Sequence, residues 1–211
     1  MSGKHMLLAM LAAILLSGTL SCGPATTSAP AGTKKSIVVT YSILGSVVKD
    51  LVGDKATVTV SIPNGLDPHE WEPSAKDIET INKADLIIEN GLGLEGGMQK
   101  TLDIARGNGV KFFTASNYIT VRHVGAGEGI PSGDPDQALG APDPHLWMDP
   151  LNMKSIVIAL APELKKDLGI DVIAQASDLE NRLDALNTEV ANTVSVIPQA
   201  DRKLVTGHES M

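Results

Sequence analysis

The sequence predicts an α/β fold, in which a parallel sheet with helices on both faces is followed by a long helix. Short β-rich runs alternate with helical patterns between residues 36 and 114. Strands joined by helical crossovers form parallel sheets that are covered on both faces. Beyond residue 149 a helical period replaces the alternation. The composition, with 43% hydrophobic and 20% charged residues, is typical of a globular protein.

The alternating half of the chain is predicted to contain four strands and three helices. Gly53 follows the first helix and is expected to end it. Ser74 and Asp77 have the spacing of a capping box, which predicts the start of the second helix. The predicted elements are a strand over 36–40, a helix over 43–52, a strand over 56–62, a helix over 74–83, a strand over 85–89, a helix over 97–106 and a strand over 110–114.

The second half is predicted to be a loop followed by two helices and a strand. Residues 117–144 are rich in glycine, proline and acidic side chains, which is typical of a long surface loop. Asp149 as N-cap and Pro150 at the first helical position predict a helix over 151–168. A new strand is predicted over 203–206.

A stripe of apolar residues predicts that the second of these helices is about 35 Å long, at 1.5 Å per residue. The stripe consists of Val172, Ala176, Leu179, Leu183, Leu186, Val190 and Val194. Such a stripe can form a coiled-coil dimer, or it can pack on its own domain. The small number of turns and the small side chain of Ala176 favour the second interpretation, so we expect a monomer.

The N-terminus has the features of an export signal. Lys4 precedes an apolar run over 6–16, which is too short to span a bilayer but suits the centre of a signal peptide. The single cysteine, Cys22, follows in a context that resembles the lipobox of bacterial lipoproteins. Thr19 stands where that pattern has a large aliphatic residue, so the match is imperfect.

We therefore expect a signal peptide over 1–21 and lipid attachment at Cys22, with a flexible tether over 22–35. These features place the protein outside the cytoplasm, in the periplasm or on the outer face of the cell membrane. The alternative is a soluble signal peptide that is cleaved within residues 25–31, after which Cys22 is lost.

Charge and cysteine content exclude two classes of protein. The formal net charge is −8, and an acidic chain lacks the clustered basic surface that nucleic acid requires. We therefore expect no nucleic-acid partner. One cysteine excludes both an internal disulfide framework and a cysteine-rich zinc site.

The pattern Asp-Pro-His-x-Trp occurs twice, at 67–71 and 143–147, and includes both tryptophans of the chain. Each copy follows a predicted strand end or loop and precedes a helix, so its histidine is expected at the carboxyl edge of the sheet, where open α/β folds bind ligands. The preceding aspartate is placed to accept the second ring N–H of that histidine. The candidate ligands and orienting carboxylates are His69, His145, Asp67 and Asp143.

A third candidate ligand, His208, follows the last predicted strand. Three imidazoles suit Zn²⁺ first and other borderline divalent ions next. The alternative interpretation is that these histidines are hydrogen-bonded turn residues, and it applies most to the isolated His208. His5 in the signal peptide and His123 in the loop are expected to be solvated.

Five motifs follow one another along the chain: TYSILG at 40–45, PNGLDPHEWEPS at 63–74, ADL at 84–86 with NGLGLE at 90–95, DPHLWMDP at 143–150, and TGHES at 206–210. In this order they resemble the zinc/manganese solute-binding proteins of bacterial ABC uptake systems. The resemblance covers residues 36–211 and implies two α/β lobes joined by a long rigid helix, with a metal ion between the lobes. The implied divisions are a metal-binding lobe over 36–168, a linking helix over 169–197 and the start of a truncated second lobe over 198–211.

The resemblance implies a function outside the cytoplasm, the capture of a divalent metal ion and its delivery to an ABC transporter permease, with no enzymatic step. His69 and His145 match the two ligands of the first lobe, and His208 matches the first ligand of the second. Manganese-binding relatives have glutamate at the last position, which favours Zn²⁺ and leaves Mn²⁺ as the alternative. The family's fourth ligand, a carboxylate, has no counterpart before Met211, so we expect this chain to bind weakly through His69 and His145.

Two other functions are compatible with parts of the sequence. A zinc hydrolase also uses three histidines, but Glu70 and Glu209 are the only bases next to the candidate ligands and no H-E-x-x-H motif is present. A surface adhesin is compatible with a lipid anchor at Cys22, but no repeat or aromatic patch supports it.

Overall fold

A computed structural model describes residues 33–126 and 138–202 of the chain. The strands are β1 (Lys35–Val39), β2 (Ala56–Val60), β3 (Leu86–Glu89) and β4 (Lys111–Thr114). The helices are α1 (Ser42–Val52), α2 (Ala75–Asn82), α3 (Gln99–Gly107), α4 (Pro150–Leu168) and α5 (Ile173–Ser195). The predicted signal peptide, Cys22, the strand over 203–206 and His208 lie outside the described residues.

The four strands form one parallel sheet in the order β2-β1-β3-β4. Val38 and Ile87 are paired neighbours at its centre, and both are fully buried. β-Branched residues fill these inner strands because both faces of a parallel sheet are covered. The α/β prediction is therefore confirmed.

The strand order also determines where a ligand can bind. The chain runs from β1 to β2 in one direction and from β2 to β3 and β4 in the other. Right-handed crossovers then place α1 on one face of the sheet and α2 and α3 on the other. The carboxyl ends of β1 and β3 lie where this direction reverses, which is the position of ligand crevices in open α/β sheets.

The predicted helix caps are present in the structure. The Ser74 side chain accepts from the backbone N–H of Asp77, and the Asp77 carboxylate accepts from that of Ser74, so the capping box is complete. The Asp149 carboxylate accepts from the Leu151 N–H at 2.8 Å, and Pro150 is the first residue of α4. α4 ends at Gly169, which adopts the left-handed conformation with φ 73°.

The two ends of the predicted loop over 117–144 are more ordered than the composition indicates. The backbone N–H of Val124 donates to the carbonyl of Ala141 at 2.9 Å, and that of Asp143 donates to the carbonyl of Arg122 at 2.8 Å. These bonds join the two ends of the loop as a short antiparallel pair. The second Asp-Pro-His-x-Trp turn is therefore attached to the chain about twenty residues before it.

The apolar stripe of α5 is buried over only part of its length. Its first half packs against α4 and α1, and Ala176, Leu179 and Leu183 are buried there. Leu186 and Val190 in the second half are each 45% exposed. The helical prediction is confirmed, but packing on its own lobe covers only the beginning of the stripe, because α5 extends past α4 and the sheet. No helix in the described part of the chain is long and apolar enough to cross a membrane.

Candidate metal site

The second Asp-Pro-His-x-Trp turn places His145 in a buried and fixed orientation. The side chain of His145 is only 3% exposed. Its backbone N–H donates to Asp143 Oδ1 at 3.0 Å, and its ring Nδ1 lies 2.8 Å from the same oxygen. An ionised carboxylate only accepts hydrogen bonds, so Nδ1 has the proton, and in the neutral imidazole Nε2 then has the lone pair. This is the orientation that a metal-binding imidazole needs.

Asp143 is held as an anion by its surroundings. Burial acts to raise its pKa, but hydrogen bonds from the backbone and ring of His145 and from the Arg122 guanidinium outweigh it and keep the pKa below its usual value. Arg122 Nη1 donates to the second oxygen of Asp143, Oδ2, at 3.0 Å. The carboxylate is therefore ionised at neutral pH, as the orientation of His145 requires.

The first Asp-Pro-His-x-Trp turn repeats the backbone arrangement in a more open position. The backbone N–H of His69 donates to Asp67 Oδ1 at 2.9 Å, as in the other turn. The N–H of Trp71 closes the turn on the Asp67 carbonyl at 3.1 Å. Asp67 is exposed and His69 is half-buried. The same local sequence thus forms the same local turn in two different environments.

The structure brings the two histidines together although 76 residues separate them. His69 Nε2 and His145 Nε2 are 3.5 Å apart, and their ring centroids are 5.6 Å apart. Two nitrogens bound to one tetrahedral ion at about 2.0–2.1 Å lie about 3.3–3.4 Å from each other. The two imidazoles are therefore already near the separation that a shared divalent ion needs.

Aromatic rings form one wall of the site. Trp147 meets the His145 ring edge-on at 5.3 Å, and it also packs on Tyr41 at 4.8 Å between centroids. Tyr41 is 5% exposed, and its burial, together with the nearby Glu95 carboxylate, raises its pKa well above the usual value. Tyr41 lies two residues after the end of β1, so this wall lies at the carboxyl edge of the sheet.

An opening beside the two histidines has a volume of about 280 Å³ and is lined by Gly65, Leu66, Asp67, Pro68, His69, His145 and Trp147. Among the described residues no group of three or more His, Cys, Asp or Glu side chains converges to hold a metal. The predicted third ligand, His208, lies outside these residues. The described part of the site is thus two imidazoles, one carboxylate that orients His145, and an aromatic wall.

Two contacts of the His145 turn are not predicted from the sequence. Arg122 reaches Asp143 from the loop, and Asn90 Nδ2 donates to the Pro144 carbonyl at 2.8 Å. Arg122 gives no sequence signal, since the antiparallel pairing that places it involves only backbone groups. Asn90 does give a sequence signal, because it directly follows the buried strand β3 and precedes a glycine-rich run.

The comparison with protein families matches this fold and site. The family model of ZnuA, the periplasmic component A of a zinc-uptake complex, matches residues 37–211. The chain belongs to this family. It is a family of metal-uptake components rather than enzymes, as the motifs indicate.

The relatives of this chain include proteins named for manganese and proteins named for zinc. The manganese ABC transporter substrate-binding lipoprotein PsaA of Streptococcus pneumoniae is 32% identical over 91% of this chain and 62% of its own length. A zinc-bound ZnuA deletion mutant superimposes with a TM-score of 0.66 at 25% identity, over 79% of this chain and 60% of that one. Zn(II)-bound AdcA from S. pneumoniae gives a TM-score of 0.58 at 26% identity, over 77% of this chain and 33% of that one. The chain thus spans less than two thirds of the length of these relatives.

Proposed function

We propose that this chain captures a divalent metal ion outside the cytoplasm for an ABC transporter permease, with Zn²⁺ as its ion and His69 and His145 as ligands from this lobe. The observation that carries the proposal is the 3.5 Å separation of the two Nε2 atoms. Membership of the ZnuA family supports it independently. Export and lipid attachment at Cys22 are part of the same proposal, and so is the monomeric state.

The chemistry of the ligands favours zinc. Imidazole nitrogen is a preferred ligand of Zn²⁺, whereas Mn²⁺ prefers carboxylate and carbonyl oxygen. In our proposal His208 supplies a third imidazole, and Asp143 remains an orienting group rather than a ligand. The hydrogen bond from His145 Nδ1 to Asp143 supports that division of roles, since it leaves Nε2 to face the ion.

A manganese-binding function is the second candidate. It is favoured by the names of curated relatives, which include the manganese lipoprotein PsaA and the manganese-binding lipoprotein MntA of Halalkalibacterium halodurans. If Mn²⁺ is the ion, oxygen ligands are needed beyond the two histidines, since no group of three or more His, Cys, Asp or Glu side chains converges among the described residues.

Competition against a chelating indicator tests the proposal. The full chain is titrated with Zn²⁺ and with Mn²⁺, beside the double variant His69→Ala/His145→Ala and the single variant His208→Ala. We expect tighter binding of Zn²⁺ than of Mn²⁺, and loss of that binding in the double variant. Equal Zn²⁺ affinity in the double variant would overturn the assignment of these ligands, and tighter Mn²⁺ binding would select the second candidate. An unchanged affinity in His208→Ala would remove His208 from the site.

A further inference from the structure

Residues 90–97 lie between β3 and α3 and touch both histidine turns. We call these residues the bracket loop. At its first residue, Asn90 Nδ2 donates to the Pro144 carbonyl at 2.8 Å. Pro144 directly precedes His145, and Asn90 is fully buried. The Pro144 carbonyl also accepts from the backbone N–H of Leu146 at 2.9 Å, so the Asn90 bond ties a turn that is closed locally to the end of β3, next to His145.

The other end of the bracket loop holds the first histidine turn. The backbone N–H of Gly97 donates to the His69 carbonyl at 2.9 Å. The approach is so close that a Cβ on Gly97 would collide with the Trp71 carbonyl oxygen and lie 2.9 Å from that of Glu70. Glycine is therefore required at this position by lack of space, since any side chain would push the turn away.

A buried carboxylate keeps the bracket loop rigid between these two contacts. Glu95 is 2% exposed, and its Oε1 accepts from the backbone N–H of Asn90 at 2.6 Å and from Thr40 Oγ1 at 2.7 Å. Its Oε2 lies 3.2 Å from the N–H of Gly91. Buried polar groups that are fully hydrogen-bonded rigidify their surroundings. Glu95 thus closes the loop on itself and fastens it to the end of β1.

We propose that the bracket loop sets the separation of His69 and His145, with Asn90, Glu95 and Gly97 as positioning residues that do not touch the ion. One rigid segment holds the backbone of both turns, and the Nε2 atoms of the two histidines lie 3.5 Å apart. The inference deepens the proposed function, because a fixed separation of this size serves a shared ion. It predicts a preorganised pair of ligands.

Two measurements on the full chain test the bracket loop. The first is the nuclear Overhauser cross-peak between the ring protons of His69 and His145 without metal, which reports their separation independently of binding. The second is Zn²⁺ affinity by competition. We expect Gly97→Ala and Asn90→Ala to weaken or abolish the cross-peak and to lower Zn²⁺ affinity by about 10-fold or more, as loss of an orienting partner does.

Two control variants separate positioning from general destabilisation. Gly107→Ala adds the same methyl group at the end of α3, where nothing lies within 4 Å, and should change neither measurement. Ile37→Val trims a fully buried side chain in the middle of β1, which makes no contact with either histidine turn in the hydrogen bonds described above, and should lower stability without changing the cross-peak.

The outcomes distinguish this inference from the proposed function. If Gly97→Ala and Asn90→Ala, the two bracket variants, both keep the cross-peak and the Zn²⁺ affinity, the positioning role of the bracket loop is refuted. A wild-type chain without the cross-peak would refute it as well. A wild-type chain that shows the cross-peak but binds no Zn²⁺ would refute the proposed function. Loss of the cross-peak in the bracket variants of such a chain would still support the bracket loop.

Discussion

The two Asp-Pro-His-x-Trp turns have the same residue at four of five positions, but their surroundings differ. In both, the aspartate accepts the backbone N–H of the histidine, at 2.9 Å in the first turn and 3.0 Å in the second. Only the second turn is buried: His145 is buried, and Trp147 makes ring contacts with both His145 and Tyr41. The local sequence determines the turn, and the position of each turn on the sheet determines how firmly its imidazole is held.

This difference predicts unequal roles for the two histidines. In the proposed site His145 is the fixed ligand, oriented by an ionised Asp143 that Arg122 also contacts. His69 lies at the open side of the site, half-buried and close to solvent. In the proposed site, an ion from solvent would therefore meet an exposed turn at His69 and a buried turn at His145.

The largest expected effect is the removal of either histidine. His145→Ala and His69→Ala should each lower Zn²⁺ affinity by more than about 100-fold, beyond the range of orienting partners. Only His145→Ala should also lower the free energy of unfolding, by about 1–3 kcal/mol, because it removes the buried ring donor of the Asp143 carboxylate and leaves it the backbone N–H and Arg122. Competition titration and urea denaturation measure the two effects. His123→Ala, which removes an exposed imidazole, is the control. Equal stability of the two ligand variants would contradict the comparison.

The second-largest expected effect is a difference in Zn²⁺ affinity between variants of the two orienting aspartates. Asp143→Asn is expected to weaken Zn²⁺ binding by about 10- to 100-fold, since an uncharged amide no longer favours the proton on His145 Nδ1. Asp67→Asn should have a smaller effect, because Asp67 is exposed and water competes for its hydrogen bonds. Both affinities are measured by the same competition assay, with circular dichroism to show that the variants are folded. A greater loss in Asp67→Asn would reverse the assignment of the fixed ligand.

The two tryptophans give a smaller difference, in stability. Both pack against the core, but Trp147 also makes ring contacts with Tyr41 and His145. Such aromatic pairs contribute about 0.5–1.5 kcal/mol beyond area burial. Trp147→Ala should therefore unfold at lower urea concentration than Trp71→Ala, by about 1 kcal/mol in unfolding free energy. An equal midpoint for the two variants would show that these ring contacts add nothing.

The smallest effect concerns the carboxylate that lies between the two turns. Burial raises the pKa of Glu95 above 4.5, although hydrogen bonds from Thr40 and Asn90 oppose this. An acid with a raised folded-state pKa binds more protons folded than unfolded, so its folded state loses stability as pH rises from about 4.5 through the raised value. Glu95→Gln removes this titration. Urea denaturation from pH 4 to 8 should show wild type losing stability relative to the variant as pH rises. A constant difference would contradict the raised pKa.

Much of the fold could be predicted from local patterns. Alternating β-rich and helical runs gave the four strands and their parallel arrangement, because strand period and helix period are properties of a few consecutive residues. Ser74 with Asp77, and Asp149 with Pro150, marked two helix starts for the same reason. The α5 stripe predicted the helix, but it could not predict that only the first half would find a partner surface.

The sequence by itself determined the class of fold, the two histidine turns and the type of chemistry that imidazoles at a sheet edge can perform. Only the tertiary structure decided that His69 and His145 meet at 3.5 Å, that Asp143 is paired with Arg122, and that one loop contacts both turns. The physical reason is the sequence distance over which the deciding interactions act. Turns and caps depend on hydrogen bonds within four residues, whereas the separation of two side chains 76 residues apart depends on how strands, loops and a buried carboxylate pack together.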